Sequence, residues 1–174
     1  MEFEPGRNVW RVARADRAAV LIDGANYFAA VRRAMIKAQR SILIAGWDIH
    51  SQTRLVGPSG RADDGYPETF ADFLSALVAA QPKLDIRLLL WDFSVLYVGE
   101  RDPFPTLTLR WNTPRNIHFC LDDCVPIGSS QHQKLVVIDD AIGFSGGLDL
   151  TMRRWDINAH KLDEPGRVDP GGKP

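Results

Sequence analysis

A chain of 174 residues, 45% hydrophobic and 25% charged, is long enough to enclose one core and has the composition of an ordinary globular domain. Its net charge of -1 excludes the strongly basic footprint of a bulk nucleic-acid binder, although a local basic site remains open. No apolar h-region opens it and no apolar stretch of about 20 residues occurs, so a cytoplasmic chain, or one peripheral to a membrane, is expected.

In chain order, Tyr27, Phe28, Val31, Ala34, Met35 and Ala38 recur at helical spacing and predict an amphipathic helix from Ala25 to Gln39. Asp23 is its expected N-cap. Arg32, Arg33, Lys37 and Arg40 fall on the remaining face, read as solvated rather than as a membrane-binding surface. The apolar run from Ser41 to Asp48 predicts a buried strand. Thr53 to Val56 could be a short strand, and Gly57 to Gly65 is a polar loop. Pro67 suits the first position of a second helix, Glu68 to Ala80, with Phe70, Phe73, Leu74, Leu77 and Val78 on one side. Pro82 ends that helix, and Asp85 to Trp91 reads as a strand. Phe93 to Val98 extends it or begins a short helix.

Ile117 to Leu121 predicts another strand. Lys134 to Ile138 and Ala141 to Phe144 predict two more, joined tightly at Asp139-Asp140. The order implies an α/β fold, a sandwich with a mixed sheet flanked by helices. Cys120 and Cys124 have no second pair elsewhere, so they read as free thiols, a disulfide remaining open, and not as a zinc site. Asp122-Asp123 reads as a solvated turn. No metal or cofactor is expected. Asp163 to Pro174, rich in Pro, Gly and charge, reads as a linker or tail to a single domain spanning 1–174.

The chemistry gathers in Gln131-His132-Gln133-Lys134-Leu135-Val136-Val137-Ile138-Asp139, which sets His, Lys and Asp at H-x-K-x4-D. Residues two apart on a strand project from one face. An ammonium and an imidazole so placed can meet one phosphate, the first binding its oxygens and the second attacking its phosphorus. Asp139, at the strand end, is better placed to brace the turn than to act beside them. Ser145-Gly146-Gly147 follow, where absent side chains let a phosphate approach backbone N–H groups. A bare H-x-K-x4-D arises by chance in about 1 of 100 such chains. The apolar strand and the Gly-Gly-x-Asp turn therefore carry much of the weight. Asp149 looks like the start of a helical segment. Arg153-Arg154-Trp155-Asp156 reads equally as an anion-greeting edge or an ion-paired helix end, and Trp47 and Trp91 read as core.

From about Val20 to His160 the chain resembles the phospholipase D superfamily. The resemblance rests on Ser129 to Asp139, on Gly146-Gly147-Leu148-Asp149-Leu150 followed by Arg153-Arg154-Trp155-Asp156, and on Ala45-Gly46-Trp47-Asp48. It implies one lobe of an α-β-β-α sandwich, with His132 as nucleophile, Lys134 as phosphate-binding lysine and Asp139 as orienting aspartate. It assigns Ser145, Gly146, Gly147 and Asp149 to substrate binding. Asp149 stands where Asn is commoner, and its charge argues against direct contact with a phosphodiester, though such turns occur in the phospholipase D branch.

The family uses two H-x-K-x4-D motifs, and this chain has one. His50, His118 and His160 do not repeat it and read as surface or core histidines. The resemblance therefore implies a partner: a second motif-bearing half, in the same longer chain (the favoured reading) or in a homodimer. Phosphodiester hydrolysis or phosphatidyl transfer on glycerophospholipids through a phosphohistidine is expected, with this piece alone inactive. A superfamily nuclease and a non-catalytic phosphate-binding scaffold are the alternatives.

Overall fold

The computed structural model describes residues 2–92, 114–126 and 129–169. Phe93 to Val98 and residues 170–174 of the expected tail lie outside them. The described elements are helix α1 (Gly24–Ile36), strand β1 (Ser41–Gly46), helix α2 (Phe70–Ala80), and strands β2 (Asp85–Trp91), β3 (Ile117–Asp122), β4 (Leu135–Ile138) and β5 (Ile142–Ser145). The strands form one sheet in the order β3-β2-β1-β4-β5. β1 pairs parallel with β2, and β2 with β3, whereas β4 runs antiparallel to both β1 and β5. This is the mixed sheet of an α/β fold, as the sequence predicts.

Period-two burial decides which side carries the core. Ile42, Ile44, Ile86, Leu88, Leu90, Val136 and Ile138 point inward and join Phe28, Val31 and Met35 of α1 and Phe70, Phe73, Leu74 and Leu77 of α2 in one cluster. Burial of side chains of this size stabilises a fold by about 1.5–3 kcal/mol each relative to exposure. The opposite side of the sheet differs from expectation. An apolar run such as β1 implies burial on both faces, yet Leu43, Leu89 and Leu135 are 38%, 36% and 39% exposed. With Ala45, Phe119 and Val137 they floor a groove of about 450 Å³.

Four local expectations are corrected. Asp23 occupies the N-cap position of α1 but makes no capping side-chain bond, because its backbone turns left-handed at φ 68°. Arg32 is not on a solvated face. It is 3% exposed, its guanidinium forks onto Asp64 at 2.6 Å and lies 4.4 Å over the Phe73 ring. That hydrogen-bonded guanidinium is the main influence holding the Asp64 carboxyl below its usual range. Pro67 is not the first residue of α2. The helix starts after Thr69, and the Pro67 carbonyl accepts from Arg32 instead. Thr53 to Val56 forms no strand, only an isolated bridge between Arg54 and Thr69.

The β4–β5 hairpin turns where expected. Asp139 and Asp140 both sit at φ 54°, a conformation Asp tolerates better than most residues, and the Ala141 N–H closes the turn on the Ile138 carbonyl at 3.0 Å. No helix among the described residues is long and apolar enough to cross a membrane.

Candidate active site

β4 begins at Leu135, so His132 and Lys134 lie on extended chain just ahead of it. Lys134, Val136 and Ile138 continue one buried alternation, while His132 is exposed. The Lys134 ammonium stands 2.9 Å from Asp149 Oδ2, the two side chains only 8% and 3% exposed. It also donates to the His132 carbonyl at a long 3.4 Å. The second Asp149 oxygen accepts the Trp47 backbone N–H at 3.0 Å.

Sequence placement explains this convergence. β1 and β4 are hydrogen-bonded neighbours, with Ala45 opposite Leu135, so the end of β1 reaches the start of β4. Ser145 pairs with Leu135, which brings the turn after β5 to the same place. Gly46 keeps the space open, since a Cβ there would lie 3.1 Å from Asp149 Oδ1. Ser145, Gly146 and Gly147 are exposed. A Cβ built on either glycine meets nothing within 4 Å, so packing does not demand glycine there and an incoming group finds room beside the backbone.

Asp139 is at the far end of β4 and does not join this group. Its carboxylate accepts three backbone N–H groups, from Gln39 at 2.7 Å and from Arg40 and Ser41 at 2.8 Å. Desolvation alone would raise its pKa, but the Ser41, Gln39 and Arg40 bonds outweigh it and hold the carboxyl below its usual range. Asp139 thus staples the α1–β1 connection to the hairpin.

Several residues at the site escape a motif search. The Trp47 ring meets the His132 ring at 6.2 Å and 66° and stacks on Trp91 at 5.8 Å. Trp91 is core, 6% exposed, but Trp47 is half-buried against the imidazole. Gln131 donates to Asp122 Oδ2 at 2.9 Å, tying the residue before His132 to the end of β3. Tyr27 shares with Gly46, Lys134 and Asp149 a cavity of about 10 Å³. Burial first, and the Asp149 charge second, push its phenol up to about 12, so it stays neutral. The signal that could have found Trp47 was its position after the β1 glycine, once β1 and β4 are known to be adjacent.

Beyond Leu150 the expected helical segment at Asp149 does not form; the chain runs through turns because Asp149 is drawn inward by Lys134. Arg153 pairs with Asp169 at 2.8 Å and Asp156 with Arg167 at 3.0 Å, while the Trp155 indole N–H donates to the Val56 carbonyl at 3.2 Å. His118 lies 3.0 Å from Asp85 and His160 3.1 Å from Asp156, both more than half exposed. Cys120 and Cys124 are free and exposed. Chiefly the Asp123 charge raises the Cys124 thiol pKa. Among the described residues no group of His, Cys, Asp or Glu could hold a metal ion.

No family model matches the chain. It is 28% identical over 171 residues to phospholipase D2 of Bos taurus, covering 93% of this chain and 18% of that protein. It is 30% identical over 141 residues to phospholipase D C of Dictyostelium discoideum, covering 78% and 8%. A 39-residue stretch is 49% identical to phospholipase D1 of Homo sapiens, covering 22% and 4%. The chain spans less than a fifth of the length of these curated relatives. Several such relatives align over most of this chain, and its mixed sheet with two helices is the lobe the resemblance implies; the chain belongs to the phospholipase D superfamily.

Proposed function

We propose that this chain supplies one half of a phosphodiester-cleaving site that acts on glycerophospholipids by hydrolysis or phosphatidyl transfer. The observation that carries the reading is the meeting of three features at one end of β4: the Lys134 ammonium, the exposed His132 imidazole and the open Ser145–Gly147 backbone. The phospholipid comes from the names of the relatives. A nuclease is less favoured, because a net charge of -1 offers little counterion release on a polyanion.

In this reading a neutral His132 nitrogen attacks phosphorus, and the bond to the leaving alkoxide breaks. Lys134 offsets charge on the nonbridging oxygens. A second histidine protonates the alkoxide and then activates water or an alcohol, which releases the phosphohistidine. That histidine comes from a second H-x-K-x4-D half, in a longer chain or across a two-fold axis. Asp139 acts only by holding β4 in register.

A leaving group that needs no proton isolates the first half of this sequence. Bis(para-nitrophenyl) phosphate should acylate nothing and phosphorylate one site: each chain releases about one equivalent of para-nitrophenolate, keeps a nitrophenylphosphoryl group on His132 visible by mass spectrometry, and then stops. His132→Ala should release none. Sustained turnover by the monomeric 174-residue chain would overturn the half-site reading, and absence of any adduct on His132 between about pH 6 and 8 would overturn its role as nucleophile.

A further inference from the structure

The Lys134–Asp149 pair poses an electrostatic question. A lysine offered to phosphate is expected to present an unopposed positive charge, yet this ammonium is in direct contact with a carboxylate at 2.9 Å, and both groups are more than nine-tenths buried. Asp149 is not free to swing away. One oxygen holds Lys134, the other accepts the Trp47 N–H at 3.0 Å, and its neighbours Leu150 and Thr151 are buried. An ammonium has three hydrogens. Asp149 and the His132 carbonyl take two, so one remains for a ligand. The floor of the site therefore offers a hydrogen-bond donor of no net charge.

Phosphate ligands differ in charge. A phosphodiester carries one negative charge. A phosphomonoester carries close to two above its second pKa of about 6, and inorganic phosphate, whose second pKa is about one unit higher, does so at pH 8. Each added negative charge near Asp149 meets a fixed carboxylate in a poorly solvated place, where repulsion is little screened. The neutral Tyr27 phenol beside the same carboxylate adds no charge to offset it.

We infer that Asp149 is a specificity-determining residue: by neutralising Lys134 it selects a singly charged phosphodiester and turns away doubly charged phosphomonoesters and free phosphate. The inference rests on the reading of His132 and Lys134 as a phosphodiester site and adds to it a reason for that class. Asp149 touches Lys134 rather than substrate, so its effect is read through the charge of what binds.

The test uses the 174-residue chain, with inorganic phosphate and dimethyl phosphate as probes, followed by shifts of the His132 ring resonances. Wild type should bind dimethyl phosphate more tightly than inorganic phosphate at pH 8. The ratio should move at least about threefold toward phosphate at pH 5, where phosphate is singly charged. Dimethyl phosphate has one charge at both pH values and so serves as the reference against which the change in phosphate charge is read. Asp149→Asn keeps an acceptor for the Trp47 N–H and removes the charge. It should raise phosphate affinity at pH 8 about tenfold or more, raise dimethyl phosphate affinity less, and abolish the pH-dependent change in ratio. A wild-type ratio that does not move with pH, or an Asp149→Asn variant with unchanged preference that still forms the His132 adduct, would overturn the inference and leave the proposed function standing. The wild-type measurement needs no variant to fold. Failure of the proposed function looks different: no His132 adduct, and no binding of either probe at any pH.

Discussion

The two ends of β4 carry the three motif residues, and they are built to opposite plans. At the far end, Asp139 accepts three backbone N–H groups and stands in a turn closed by its own hairpin. Its bonding is complete without a ligand. At the near end, His132 is exposed, Lys134 has one hydrogen to spare, and Gly146 and Gly147 border unfilled space. That end keeps a donor and open space that no described residue takes up. A motif read as one unit in sequence is thus two devices in space, a structural clasp and a chemical mouth, separated by the four residues Leu135–Ile138.

Substitutions should separate the two. The largest expected effect on stability is at the near end. Lys134→Met leaves Asp149 buried and unpaired and should cost about 3–5 kcal/mol in urea unfolding. Adding Asp149→Leu should return most of that loss, since an apolar pair of similar volume is often as stable as a buried ion pair. A double variant no more stable than the single would show that the pair does not act as a unit.

Asp139→Asn comes next. It leaves one acceptor oxygen for three donors and should cost about 1–2 kcal/mol at neutral pH, allowing for screening at a partly exposed site. The sign with pH follows from the depressed carboxyl. A group whose folded pKa lies below its unfolded value of about 3.9 stabilises the fold above that value, and the contribution is lost as pH falls through the folded pKa. The gap between wild type and Asp139→Asn should therefore be full at pH 6 and close below about pH 4. The variant should still form the His132 adduct once folded. If it folds normally but forms no adduct, the division between clasp and mouth fails.

The smallest effect on stability sharpens the comparison most. Gly147 does not have a positive φ, and a Cβ there meets no neighbour. Gly147→Ala should stay within about 0.5 kcal/mol of wild type yet slow adduct formation at least about tenfold by standing where the phosphate approaches. An unchanged adduct rate would remove the Gly-Gly turn from the mouth.

What was legible in the sequence was whatever depends on local periodicity. Tyr27 to Ala38 shows a helix because its apolar residues repeat within a few positions, and Val136 to Phe144 shows a hairpin because only two aspartates separate two apolar runs. What was hidden depends on partners distant in the chain. Arg32 sits with other basic residues, and nothing nearby reveals that Asp64 and the Pro67 carbonyl will draw it inside. Asp149 reads as a turn residue with an awkward charge until Lys134 is seen against it, 15 residues earlier in sequence and in contact in space. The half-exposed side of β1 was hidden for the reverse reason: Leu43 is as apolar as Ile42 and Ile44, and composition cannot say which side a helix will cover.

The position of β1 has a consequence for the making of the protein. β1 is central in the sheet, between β2 and β4, but β4 is synthesised about ninety residues after it. A nascent chain that has already paired β1 with β2 presents the other side of Ser-Ile-Leu-Ile-Ala-Gly as an open, uncharged edge until Leu135–Ile138 emerges. Such an edge invites pairing with other chains, and closing so long a loop is slow. The motif strand therefore also ends an exposed interval of folding: the ribosome that completes the H-x-K-x4-D run also supplies the strand that covers this edge of β1.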